Sequence, residues 1–407
     1  MAKPKKKTAA KVRRVRSAAA ALGGKMSKRT VRLAITNVHM DGDYTGTIHV
    51  GGRRKLCNVI FDTGSSTLAI DGSHYDVTRD RQAKITSVAQ EVGYADGSNW
   101  VGGVALTDVT VGERRLKLPG VPVAIAYHTS NKMFGSANGI LGLAYSRLNA
   151  AFTMPGPTLP PHYTYNQIQN GLVSHLEPYF AKLEDAGLVA NKFAFYTRRS
   201  MVRRAHPRPV NDPANHGFLI LGGGEEHRDL YQGRFQVARV VHDLYYNTNL
   251  KAILVGKADP IHVHPPTKAS GIVSNSFVDS GTNIIQLEQA LFDAVVEKLS
   301  KFANATLTDA IRAGYVAMSG LRLADWPVIS FVLEGALGKD VKLEVKPQTY
   351  WQTDAPKAGY ATAVLQGDGG KGSGQSILGL PLMNNYLTIF DRSVDRGLGV
   401  ISFAKLR

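Results

Sequence analysis

The 407-residue chain has a single cysteine, Cys57, so no intrachain disulfide can form. The fold must rest on packing alone, and a reducing compartment is favoured over an oxidising one. Cys57 itself reads as a small apolar strand residue; a nucleophilic role would need a His partner and an activating environment. No run of about 18 apolar residues offers a membrane-spanning helix. The chain also lacks a His-Glu-x-x-His zinc signature, a Gly-x-Ser-x-Gly elbow and a Walker A loop, which disfavours zinc peptidase, serine hydrolase and P-loop chemistry. The pair His262 and His264 lies beside prolines and reads as a solvated loop. No metal and no organic cofactor are expected.

Acidic residues are in the minority. Lys and Arg number 49 against 32 Asp and Glu, a formal charge of +17. Part of this excess sits in residues 1–29, where lysines and arginines alternate with alanines. That stretch is expected to be a disordered, solubilising tail. Its apolar run is short for a secretory signal, so a cytoplasmic location is favoured, with periplasmic or secreted locations left open. The tail could neutralise phosphates, but without interleaved aromatics nucleic-acid binding is not favoured. A monomer with no membrane association is expected, its basic charge steering acidic substrates.

The rest is globular, at 43% hydrophobic residues, and long enough for two lobes. Short apolar runs separated by Gly, Asn, Asp and Pro predict a mostly β protein. Helices are predicted over residues 167–188, 288–302 and 308–313, with a short one near Met383. Residues 197–216, rich in Arg and Pro, read as a connection between halves or an excursion beside it.

An internal repeat is the most informative feature. Val59-Ile60-Phe61-Asp62-Thr63-Gly64-Ser65-Ser66 is echoed by Ser276-Phe277-Val278-Asp279-Ser280-Gly281-Thr282-Asn283. Gly139-Ile140-Leu141-Gly142 follows the first copy and Ser376-Ile377-Leu378-Gly379 the second. One Asp-Thr-Gly would be a plain turn; two, each at the end of an apolar strand and each followed by an apolar-Leu-Gly segment, point to paired carboxylates. Gly64 and Gly281 permit a sharp turn that brings an N–H to the preceding carboxylate. Ser65 and Thr282 are placed to donate to its outer oxygen. Thr63 and Ser280 are placed to bond across a twofold axis beneath the pair. Two carboxyls about 3 Å apart share one proton, so one acts as base while the other acts as acid.

With this repeat, everything after residue 30 resembles the pepsin-like aspartic peptidases (A1 type), as a disulfide-free, prokaryotic-type member. The opening strands around Asp43-Tyr44-Thr45-Gly46, the second-lobe entry at Leu219-Ile220-Leu221-Gly222 and the closing strand Tyr386-Leu387-Thr388-Ile389 follow in the family's order. The resemblance implies a two-lobed double β-barrel with pseudo-twofold symmetry and a central cleft for an extended peptide or protein substrate. The expected division is an N-terminal lobe over 30–196 and a C-terminal lobe over 197–407. Asp62 and Asp279 become the catalytic pair of an aspartic endopeptidase. Tyr94, Ala95, Asp96 and Gly97 form the flap that covers substrate. Ile60, Phe134 and Ile140 become pocket walls that favour cleavage between bulky apolar residues.

Two departures stand out. Many relatives carry a Trp shortly after the first motif that holds the flap tyrosine; here Ala69 stands in its place. Trp100 resembles a tryptophan of the memapsin branch. The segment before the first barrel strand is shorter than a pepsin prosegment, so activity without zymogen processing is expected. The competing class is a non-catalytic peptide- or partner-binding protein on the same fold; such relatives typically lose an Asp or Gly of one motif, and both motifs are whole here.

Overall fold

The computed structural model describes every residue except 1–29, 41, 95–96, 113–115, 131–132, 159–164, 267–272, 303–304 and 371–373. The basic tail and two of the flap residues, Ala95 and Asp96, thus lie outside the described residues.

Eight strands build the first half: β1 (Val31–Met40), β2 (Asp43–Val50), β3 (Lys55–Asp62), β4 (Leu68–Asp71), β5 (Lys84–Gly93), β6 (Asn99–Val111), β7 (Leu116–Thr129) and β8 (Gly139–Gly142). In β1 the residues Val31, Leu33 and Ile35 are buried while Arg32 and Ala34 are not, the period-2 pattern of a strand with one face in the core. By contrast β3 is buried almost continuously from Val59 to Asp62, because strands cover it on both sides. Six strands in the order β2, β3, β8, β4, β7, β6 close into a barrel, since β6 returns to pair with β2 through Ile48↔Val111 and Val50↔Val109. Cys57 lies in that core and burial pushes its thiol up to about 12, an inert packing residue.

The second half spreads over smaller sheets of five, four and three strands. The helix Gln289–Leu299 packs on them through Phe292, Val295, Val296 and Leu299, the spacing of one helical face. A further sheet region joins the halves. Its strands run in the order β1, His216–Leu221, Lys192–Tyr196, Tyr386–Asp391, Val400–Leu406 and Tyr231–Arg239. Residues on either side of position 196/197 are therefore direct neighbours, as in Phe193↔Leu221. The result is the mostly β, two-lobed pepsin-like architecture.

One predicted helix is corrected. Residues 167–188 are a short helix Tyr165–Gln169, a strand Leu172–His175 and a second helix Tyr179–Asp185. Gly171 ends the first, and Pro178 takes the N-cap of the second, so the apolar periodicity is interrupted twice. The other helices appear as Gln289–Leu299, Ala305–Ala313 and Leu380–Met383. Among the described residues no helix is long and apolar enough to cross a membrane.

Candidate active site

Each half of the repeat folds the same way. Strand β3 runs parallel to β8, with Asp62↔Gly142, and β4 crosses back antiparallel on β8 through Ala69↔Ile140. In the second half, Ser276–Val278 runs parallel to Ser376–Leu378, with Val278↔Leu378, and Ile285–Leu287 returns antiparallel on it. The chain thus leaves each sheet at the aspartate, turns, and re-enters on the far side of the Leu-Gly strand. Gly142 and Gly379 are needed there because a Cβ on either would strike the backbone of the loop it supports, at Ser65 and Ser66 for Gly142 and at Thr282 and Ile284 for Gly379.

The two loops meet. Thr63 N–H donates to Ser280 Oγ at 3.0 Å and Ser280 N–H to Thr63 Oγ1 at 2.8 Å. Each hydroxyl then donates onward to the opposite strand, Thr63 Oγ1 to the Val278 carbonyl at 3.2 Å and Ser280 Oγ to the Phe61 carbonyl at 2.9 Å. Above this lattice the Asp62 and Asp279 side chains face one another, 4% and 7% exposed. Gly64 N–H donates to Asp62 Oδ1 at 2.7 Å and Gly281 N–H to Asp279 Oδ1 at 2.9 Å. The glycines have a second role that the sequence did not reveal. A Cβ on Gly64 would lie 2.6 Å from Asp279 Oδ2, and one on Gly281 would strike the Asp62 carboxyl, so each glycine makes room for the other half's carboxylate.

The outer hydroxyls differ. Thr282 Oγ1 donates to Asp279 Oδ2 at 2.8 Å. Ser65 Oγ is buried beside Asp62 and favours its ionised form, yet completes no well-formed hydrogen bond. Burial first, and the neighbouring Asp279 charge second, hold the Asp62 carboxyl well above the usual carboxylate range.

Tyr94 lines the cleft at the tip of the β5–β6 hairpin, where Tyr94 N–H bonds the Ser98 carbonyl and Gly97 sits at φ +83°. Trp100 Nε1 donates to the Tyr94 hydroxyl at 3.4 Å. Trp100 is fully buried in one cluster with Ala69, Ile60, Phe134 and Ile140, so a tryptophan from the flap's own strand occupies the space beside the small Ala69. Ile60 and Ile140 line the cleft; Phe134 does not, and packs behind them in the same cluster.

The cleft encloses about 700 Å³ and is also lined by Met40, Met133, Tyr245, Phe277, Ile284 and Ile377. Tyr245 stacks on Phe277 with ring centroids 4.7 Å apart, and its hydroxyl pKa is raised by burial and then by the Asp279 and Asp62 charges. Tyr245 was not foreseen, because it lies more than thirty residues before the second motif in a segment without a motif of its own. The charge on the walls was not foreseen either. Asp43, Asp62, Glu91 and Asp279 line the cleft, and no Lys, Arg or His does among the described residues, although the whole chain is strongly basic. Nor, among the described residues, do three or more His, Cys, Asp or Glu side chains gather where a metal ion could bind.

The eukaryotic aspartyl protease family matches residues 43–406, nearly the whole chain. The chain belongs to that family. It is an aspartic-type endopeptidase, acting on peptide or protein substrates. Its similarity to individual relatives is low but extends over both lobes. It is 22% identical to gastricsin of Callithrix jacchus over 88% of this chain and 81% of the relative. Pepsin B of Canis lupus familiaris is 23% identical over 88% and 81%. Cathepsin D of Chionodraco hamatus is 24% identical over 91% and 82%.

Proposed function

We propose that Asp62 and Asp279 are the catalytic pair of this endopeptidase and that they work by sharing one proton. The observation that carries this reading is the reciprocal packing of the two loops, in which each half's glycine leaves space only for the other half's carboxylate. Two buried carboxyls so close cannot both ionise readily. Each carboxyl receives its own glycine N–H, Asp279 also accepts from the Thr282 hydroxyl, and burial with the neighbouring Asp279 charge raises Asp62, so the pair holds one proton between them.

In the proposed reaction a water between the carboxyls loses a proton to the ionised carboxylate as it attacks the scissile carbonyl, and the protonated partner donates to the carbonyl oxygen. On collapse of the tetrahedral diol the carboxyl that took the water's proton gives it to the leaving nitrogen as the C–N bond breaks, and the other carboxylate takes a hydroxyl proton back from the diol, so the pair again holds one proton. The chain's own groups suffice for each step. The Thr63 and Ser280 hydrogen bonds hold the pair rigid, so little reorganisation is needed during the reaction. Peptide would lie across the cleft as an added strand under Tyr94.

Specificity follows from the walls. Ile60, Ile140, Tyr94, Phe277 and Ile377 present apolar surface. Burying a Leu or Phe side chain there contributes about 1.5 to 3 kcal/mol, enough for roughly a ten- to hundredfold preference at the scissile bond. A peptide mixture incubated with purified protein from about pH 3 to 8 and sequenced by mass spectrometry tests the reading. Cuts between bulky apolar residues, blocked by a statine-type peptide whose hydroxyl replaces the attacking water, are expected. Binding of that peptide without any cleavage would favour the non-catalytic alternative.

A further inference from the structure

The ladders on either side of the flap hairpin's strand β6 are interrupted at two neighbouring levels. The β5–β6 register shifts between Ile85 and Ala89, and the β6–β7 register shifts between Val101 and Gly102. Beyond the β5–β6 interruption β5 and β6 pair with each other from Ala89↔Gly103 to Gly93↔Asn99. Interrupted ladders locate bending at the interruption, so the flap can hinge between these two levels. Gln90 lies between them, one residue past the β5–β6 interruption and directly opposite Gly102, where the β6–β7 ladder shifts. Its side chain is almost fully buried, at 1% exposure.

Gln90 Nε2 donates to Asn149 Oδ1 at 2.8 Å and to the Ala150 carbonyl at 3.0 Å. Thr67 Oγ1 donates to the same Asn149 oxygen at 2.8 Å, filling its second lone pair. Asn149 Nδ2 is held by the Leu176 carbonyl at 3.0 Å, which fixes the orientation of the amide. Thr67 belongs to the loop that follows Asp62: its carbonyl accepts from Gly142 N–H at 2.8 Å, and Gly142 is the residue paired with Asp62. A buried apolar contact could hold these elements together without fixing their mutual orientation. Three buried polar groups that satisfy one another fix it, because any slip leaves a donor without an acceptor.

We infer that Gln90, Asn149 and Thr67 form a positioning relay that ties the hinge of the flap to the Asp62 loop and sets how firmly the flap closes over bound peptide. The inference rests on the proposed Asp62 and Asp279 chemistry. Gln90 and Asn149 lie outside the cleft lining and act through the flap; Thr67 lies at the cleft wall and joins them to the Asp62 loop.

Steady-state kinetics of Gln90→Met, Thr67→Val and the double variant test it, using an apolar peptide long enough to span the cleft. Each single variant is expected to raise KM about five- to tenfold, the effect of the one (Thr67) or two (Gln90) buried hydrogen bonds it removes, with kcat changed less than about twofold. The double variant should match the worse single, since either change breaks the same relay, and Thr67→Ser should restore KM by restoring the hydroxyl. Melting curves monitor folding, and Gln90→Glu, which removes the amide donors but keeps the shape, replaces Gln90→Met should that variant not fold. Lower melting temperatures with unchanged KM, or KM effects that multiply in the double variant, would overturn the relay. A wild-type protein that cleaves nothing would instead sink the dyad reading beneath it.

Discussion

The two halves carry the same apolar strand and Asp-hydroxyl-Gly-hydroxyl turn on the same strand crossing, yet their surroundings diverge. The first closes into a six-stranded barrel whose β5–β6 hairpin brings Tyr94 to the cleft; the second spreads over small sheets and packs a helix, Gln289–Leu299, against them. What stays constant is the backbone that aims a carboxylate at the twofold axis. What differs at the centre is one hydroxyl: Thr282 is bonded to Asp279, and Ser65 is not bonded to Asp62. A symmetric motif has become a pair whose outer hydrogen bonds differ.

The largest way to break the near-symmetry is through the glycines. Gly64→Ala should displace Asp279 and Gly281→Ala should displace Asp62, although each substitution lies in the opposite half. A misplacement on the order of 1 Å costs roughly a hundredfold in kcat/KM, and peptide hydrolysis rates check it. Equal, full activity in both variants would show that the halves do not interlock. A smaller effect separates the hydroxyls. Thr282→Val should lower kcat/KM about ten- to hundredfold by removing a hydrogen bond to a charged group, whereas Ser65→Ala should cost only a few-fold.

Stability gives a second probe of the pair. The folded-state pKa of Asp62 lies above its unfolded value, so the folded protein binds the extra proton. The stability this contributes is whole below about pH 3.9 and is lost as pH rises through the raised folded value. Asp62→Asn should therefore melt higher than wild type at neutral pH, with the difference vanishing near about pH 3 in differential scanning calorimetry. A variant that melts lower at neutral pH than wild type would contradict the raised value.

The smallest expected effect concerns charge. The basic chain as a whole favours acidic partners, but Asp43 and Glu91 make the cleft walls acidic. Peptides bearing Lys or Arg away from the scissile bond should therefore outcompete Asp- or Glu-bearing ones by a few-fold in kcat/KM, and added salt should shrink the preference. The reverse preference would mean that the global charge governs encounter after all.

The motifs made the strand crossings and the carboxylate pair legible, because a duplicated strand, turn and Leu-Gly segment leaves few ways to fold. The hydroxyls of Thr63 and Ser280 were legible for the same reason, being adjacent in sequence to the groups they serve. Contacts made across strands were not. The hydrogen bond from Trp100 to Tyr94, the stacking of Tyr245 on Phe277 and the shared acceptor Asn149 each depend on tertiary packing that no local spacing encodes. Residues 167–188 misled because apolar residues recur at helical spacing while Gly171 and Pro178, which break the helix, carry little weight in a periodicity count.

The most direct test is kcat/KM for peptide cleavage by Asp62→Asn, Asp279→Asn and the double variant, each verified as folded. Two carboxyls acting as one proton-sharing unit predict a loss of about 10⁴-fold or more in each single variant and no further loss in the double. Turnover within about tenfold of wild type in either single variant would contradict the shared-proton dyad.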